Sequence, residues 1–175
     1  MSFDPLRRRP HESRVEYEDS RHMRVLLVSC VFPPEPLTSA QTSGEIAEEL
    51  ARRGHEVTVV APFPSRPAGD PYPGYPRALF RRSRDQKGYD LIRSFSFFSR
   101  TSSLPSRFLE NISFGISGAV AACRQKKPDI IYSNTWPLVA TGIISLIARW
   151  RRIPLVISVQ DAYPQSLISL SLIHI

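Results

Sequence analysis

The sequence predicts an α/β fold, a Rossmann-like doubly wound parallel sheet, and three observations predict it. Residues 24–31, 56–61, 129–133 and 154–160 are short apolar runs rich in β-branched side chains, the composition of strands buried on both faces. Longer segments with apolar residues at helical spacing lie between them. The alternation starts at once: residues 23–62 read as strand, helix, strand, a βαβ unit. Ligands of such sheets bind beyond the carboxyl ends of the strands, so the loops leaving those ends are where function is expected.

Taken in order, residues 1–22 are polar, with five basic and five acidic side chains and no apolar period, and are expected to form a disordered head. Met23 stands directly before the first strand and is an alternative start. Pro33, Pro34 and Pro36 turn the chain into a loop. Thr42 and Glu45 have capping-box spacing, which predicts a helix beginning there, with Ile46, Ala47, Leu50 and Ala51 facing inward. Arg52, Arg53 and Gly54 suit its C-terminus. Residues 62–88 hold six prolines and three glycines and read as one long loop. Residues 89–98 form a third strand, with Phe95 and Phe97 on one face. Residues 104–127 form a long helix striped by Phe108, Ile112, Ile116, Ala119 and Cys123, whose Gly115 and Gly118 imply close packing on the sheet. A strand at 129–133, a helix at 138–150 and a strand at 154–160 complete a domain spanning 23–164. Residues 165–175 end in an uncapped apolar run, as expected of a truncated or artefactual tail.

The 175 residues suffice for one domain with its own core. With 42% hydrophobic and 22% charged residues the composition is that of a globular protein. No apolar run approaches the ~18 residues of a membrane span, and the N-terminus lacks the apolar stretch of a secretory signal. The net charge of +7 points to an anionic partner such as nucleotide phosphate, lipid headgroups or nucleic acid. The excess is concentrated at Arg77, Arg81, Arg82, Arg84, Lys87, Arg93, Arg100 and Arg107, against Asp85 and Asp90. That run is either a solvated face or a surface for an anionic ligand or membrane; no motif frames it as a nucleic-acid site, so nucleic acid is not expected. Cys30 and Cys123 lie in apolar contexts and read as structural thiols of a reducing compartment. No Cys/His cluster suggests a metal.

Three exit loops carry candidate chemistry. Residues 32–43 are rich in hydroxyls, including Thr38 and Ser39, and lead into a helix N-terminus; they read either as a capped helix or as a loop for a phosphate or sugar hydroxyl. Neither a dinucleotide fingerprint nor a P-loop is present. Ser133, Asn134 and Thr135 precede Trp136, which suits hydrogen bonding and stacking on a sugar or base, or a turn with a core-plugging indole. Asp161, in the exit loop of the last strand, orients a hydroxyl or acts as a base, or makes a turn before Pro164. His55 lies at the opposite edge and reads as structural.

With these residues in view, the chain resembles the N-terminal half of family 4 retaining glycosyltransferases of the GT-B fold, closest to bacterial cell-surface polysaccharide and O-antigen sugar transferases. The matching pieces are RVLLVSCVFPPEP, EIAEELARRGHEVTVVAP, FLENISFGISGAVAACRQKKPDIIYSNTWPLVATG and IPLVISVQDAYP. The resemblance implies a two-domain, hexosyltransferase-type enzyme at the cytoplasmic face of the membrane. The domain seen here would face a glycan or lipid-linked acceptor, while a second domain, carrying an E-x7-E element, grips the nucleotide-sugar donor. It implies no metal and no cofactor beyond that donor. The chain departs from the family where Leu37, Thr38, Ser39 and Ala40 replace a Gly-Gly pair, and where Ser133 and Asn134 stand in place of a histidine. Thr38, Ser39, Asn134 and Asp161 are the expected cleft-lining residues, with no catalytic residue assigned. This half is expected to be inactive alone. Two other readings compete. A stand-alone α/β interaction domain would partner a separately encoded donor domain. A receiver-like module would need clustered acids where Ser29, Cys30, Val31 and Phe32 stand.

Overall fold

The computed structural model describes residues 21–75, 78–100, 103–134 and 138–159. Its elements are β1 (Arg24–Val28), α1 (Thr38–Arg52), β2 (Glu56–Pro62), β3 (Phe80–Arg84), β4 (Asp90–Ser94), α2 (Leu104–Cys123), β5 (Ile130–Asn134), α3 (Leu138–Arg151) and β6 (Leu155–Ser158). The six strands form one sheet in the order β3-β4-β2-β1-β5-β6. All neighbours are parallel except β3 and β4, which pair antiparallel.

Alternation along the central strands builds the two layers. Val25 and Leu27 of β1, with Val57 and Val59 of β2, bury against Ala47 and the inner edge of α1. Leu26, Val28, Val60 and Ile131 face the other way, into a core shared with α2 and α3. Burying a side chain of this size fully contributes roughly 1.5–3 kcal/mol, so these central residues anchor both layers. The two helices on the second face meet closely. A Cβ on Gly115 would lie 2.8 Å from Ile143 Cδ1 and 3.1 Å from Ala140 Cα, so this glycine is required by α3 and not by the sheet. Gly118 does face the sheet, near Val60.

Several expectations change. α1 begins four residues before Thr42, at Thr38, and no side chain caps it. The capping box does not form: Thr42 Oγ1 donates back to the Thr38 carbonyl 3.0 Å away, within the helix. The C-terminal cap is as expected. Gly54 takes φ +87°, its amide bonds the Ala51 carbonyl, and the His55 amide bonds Leu50. The proline-rich stretch is not all loop, because Phe80–Arg84 adds an antiparallel edge strand. The strand that follows stops at Ser94, short of the phenylalanines. Arg93, counted above in the basic face, is buried. α2 ends at Cys123, where Lys127 was expected. No disulfide links Cys30 and Cys123, and burial pushes the Cys30 thiol up to about 12. The head at 1–20 and the tail at 165–175 lie outside the described residues.

Candidate functional site

Among the parallel strands, counted in chain order, the sheet order is 3-2-1-4-5. The chain leaves β1 toward β2 and β4, then crosses back through α2 to place β5 on the other side of β1. The carboxyl ends of β1 and β5 therefore flank a topological switch point, where strand exits diverge and leave a crevice. Val28 pairs with Ser133 across this seam. One position further, Ser29 and Asn134 lie side by side.

Asn134 Nδ2 donates to Ser29 Oγ at 3.0 Å and to Ser43 Oγ at 3.1 Å. The two serine oxygens are 3.0 Å apart, and all three side chains are buried. The protons can be assigned by elimination. Ser29 Oγ donates to the Val31 carbonyl at 2.6 Å and Ser43 Oγ to the Ser39 carbonyl at 2.8 Å. A hydroxyl has one proton, so with both serine protons on these carbonyls the Asn134 NH2 faces the two oxygens. Its Oδ1 then points away and has no hydrogen-bond partner among the described residues. Leaving a buried acceptor unpaired costs about 1–3 kcal/mol, which makes it a natural place for a ligand hydroxyl. The backbone at this residue is fixed as well, since Thr141 Oγ1 donates to the Asn134 carbonyl at 2.8 Å.

The loop above the crevice is held by two buried charged side chains. Glu35 accepts from the amides of Ser65 and Arg66, both at 2.9 Å, and from that of Phe32 at 3.3 Å. It thereby ties the β1 exit to the β2 exit. Arg93 of β4 donates Nη1 to the Pro62 carbonyl at 2.8 Å and Nη2 to the Pro33 carbonyl. Its guanidinium lies 5.7 Å from the Phe32 ring centroid and 5.8 Å from that of Tyr75. Burial holds the Arg93 pKa below its ordinary value, but an arginine starts so high that it stays charged. Gly44 completes the clamp: a Cβ there would sit 2.9 Å from Pro33 Cγ.

Of the expected cleft residues, Thr38 and Ser39 form the first turn of α1, Thr38 exposed and Ser39 half-buried. Ser39 reaches the Asn134 cluster only indirectly, through its carbonyl and Ser43. Asn134 is the centre of the network. Asp161, Thr135, Trp136 and Pro137 lie outside the described residues. Sequence reasoning missed Ser29, Ser43, Glu35 and Arg93. Two of them had a signal: Ser43 lies four positions before Ala47 on the inward stripe of a helix, and Arg93 interrupts an apolar strand. A polar residue at a position patterned for the core is one that finds its partners inside.

A doubly wound sheet with hydroxyls, an amide and a helix N-terminus gathered at its switch point belongs to the class of α/β domains whose ligand sites lie at that point. Comparison with known proteins narrows the class. The model of the glycosyl transferase 4-like domain matches residues 38–172, and the chain belongs to that family. It is similar to WcaI of Escherichia coli (strain K12), named as a colanic acid biosynthesis glycosyl transferase, with 26% identity over 152 residues. The matched region is 86% of this chain but 37% of that relative. Two solved structures share the fold. The glycotransferase of kitacinnamycin superposes with a TM-score of 0.52 at 18% identity, over 86% of this chain and 34% of its own. The calicheamicin glycosyltransferase CalG4 gives 0.50 at 16%, over 88% and 38%. The chain thus spans little more than a third of the length of these proteins, and its fold is one half of the GT-B architecture.

Proposed function

We propose that this chain is the acceptor-side domain of a glycosyltransferase that moves a hexose from a nucleotide sugar to a glycan or lipid-linked acceptor in cell-envelope polysaccharide synthesis. The observation that carries the proposal is the unpaired, buried Asn134 Oδ1 at the switch point of a family domain. A sugar hydroxyl donating to it satisfies an acceptor that no group among the described residues reaches. Thr38 and Ser39 supply first-turn amides and hydroxyls at the mouth, and Asp161 is assigned to orient a second hydroxyl. The WcaI relative, named for colanic acid biosynthesis, supports the pathway class.

On this reading residues 23–164 form the acceptor domain and the donor is gripped elsewhere, by a second domain. Transition-state charge is then stabilised by that domain's donor-binding groups, and no metal is called for. Work takes place at the inner face of the plasma membrane, where the exposed Arg81, Arg82 and Arg84 of edge strand β3 meet anionic headgroups. Among the described residues no helix is long and apolar enough to cross a membrane.

The division of labour is tested by calorimetry and saturation-transfer NMR on the 175-residue chain. Titration with UDP-glucose is expected to give no saturable heat. Envelope oligosaccharides are expected to show saturation transfer that Asn134→Asp abolishes, because its carboxylate is repelled by the two serine oxygens. Tight UDP-sugar binding to this chain overturns the assignment of the donor to another domain. Oligosaccharide contact unchanged in Asn134→Asp overturns the site.

A further inference from the structure

The hydrogen bonds at the switch point run in one direction. Asn134 Nδ2 donates to Ser29 Oγ and Ser43 Oγ. Ser29 in turn donates to the Val31 carbonyl and Ser43 to the Ser39 carbonyl. Each path ends on backbone, in the β1 exit loop for one and in the first turn of α1 for the other.

That direction resists reversal. Turning the Asn134 amide over would set its oxygen against two serine oxygens that lie 3.0 Å apart. To meet it, a serine would have to abandon its carbonyl, and a buried carbonyl left unpaired is costly. The serines have no solvent to turn to, since Ser29 is 1% exposed and Ser43 is 0% exposed. Thr141 fixes the other end of Asn134 by donating to its carbonyl.

Two features of the site then oppose each other toward an anion. Ser43 lies one turn into α1, which has no acidic residue in its first turn. The partial positive charge of a helix N-terminus favours a carboxylate or phosphate. The unpaired Asn134 Oδ1 favours the reverse, a group that donates. Direct contact prevails, because the helix charge is a fraction of a unit spread over a turn, while two buried acceptors pressed together both lose their hydration.

We propose that Ser29 and Ser43 are positioning residues which, by holding the Asn134 nitrogen inward, make the switch point accept only a hydrogen-bond donor. The group seated there is a hydroxyl of a neutral sugar, and not the carboxylate of a uronate or a phosphate. The inference rests on Asn134 being the glycan site proposed above and names the class of sugar that it takes. Both serines act through Asn134. Removing them frees the amide to turn, its nitrogen then faces outward alongside the helix terminus, and the same site takes an anion.

Two NMR measurements on the isotope-labelled 175-residue chain separate the amide lock from the glycan site. The first needs no ligand. The Asn134 side-chain NH2 signal, identified by its absence in Asn134→Asp, should exchange slowly with water in the wild type. It should exchange rapidly in the double variant Ser29→Ala, Ser43→Ala. The second follows that signal during titration with methyl glucoside and with acetate, whose polar end offers acceptors only. The wild type should respond saturably to methyl glucoside and not to acetate. In the double variant acetate affinity should rise about tenfold and methyl glucoside affinity fall several-fold. Should the double variant lose its native circular dichroism, Ser43→Ala alone, which keeps a good helix former in α1, takes its place with the same expected direction. Rapid exchange of the wild-type NH2 overturns the lock. So does a wild type that acetate perturbs as strongly as methyl glucoside, or a preference unchanged in the folded variant. A slowly exchanging NH2 that no sugar perturbs overturns instead the glycan site of the proposed function, and the preference falls with it.

Discussion

Two regions of this domain are built from arginine and carboxylate, and they differ in what those groups achieve. At the β1 exit, Arg93 and Glu35 are buried, and they tie down backbone amides and carbonyls of segments 30–60 residues away. At the β3–β4 hairpin, Arg82 and Arg84 converge on Asp90 at 2.6 and 3.1 Å, with both arginine side chains more than half exposed. Water and salt screen the second arrangement. The first is desolvated, so each broken bond leaves an unpaired polar group and its cost is felt in full. The same residue types therefore fix a loop in one place and decorate a surface in the other.

Breaking the comparison on the buried side should give the largest effect. Arg93→Met strands the Pro33 and Pro62 carbonyls and is expected to lower unfolding free energy by about 2–3 kcal/mol, measured by urea denaturation. Hydrogen exchange should quicken at the Ser65 and Arg66 amides, which hang on the same loop through Glu35. A loss below about 0.5 kcal/mol would mean that the carbonyls find water and that the clamp is not structural.

Asn134→Ala removes the donor to both serines while discharging the unpaired Oδ1, and these effects oppose each other. The expected net loss is about 1 kcal/mol, smaller than for Arg93→Met. A ranking with Asn134 above Arg93 would show that the switch point, and not the loop clamp, holds the domain together.

The hairpin should respond least. Burial alone would raise the Asp90 pKa, but hydrogen bonds from Arg82 and Arg84 outweigh it and hold the carboxyl below its ordinary 3.8. A lowered folded-state pKa means that the stabilisation is complete above the unfolded value and disappears as pH falls through the folded one. Asp90→Asn is expected to cost at most about 1 kcal/mol at neutral pH. The difference from wild type should shrink as pH falls below the ordinary carboxylate range and vanish once Asp90 is protonated in the folded state. Two arginines share one aspartate here, so this face stays net positive. Charge reversal at Arg81, Arg82 and Arg84 should abolish flotation with anionic vesicles at low salt, and unchanged flotation would remove the membrane surface from the proposal.

What could be read from the chain alone was whatever short-range periodicity and turn chemistry control. The apolar runs at 24–31, 56–61 and 129–133 read as buried parallel strands and Gly54 as a C-terminal cap, and the structure has strands there and a φ of +87° at Gly54. Together with the family resemblance, that sufficed for the α/β class and for Asn134 as a loop residue of interest. Tertiary structure decided the rest, because it depended on pairings distant in sequence. Phe80–Arg84 has the polarity of a loop and is a strand only because β4 offers an open edge. Thr42 and Glu45 have the spacing of a cap, yet the helix starts earlier because the loop is drawn down by Arg93, Glu35 and the Pro33–Gly44 contact. Whether Asn134 is a turn residue or the centre of a site is set by Ser29 and Ser43, 105 and 91 positions away. A side chain's identity specifies which bonds it can make; the fold supplies the partners and excludes the water that would otherwise replace them.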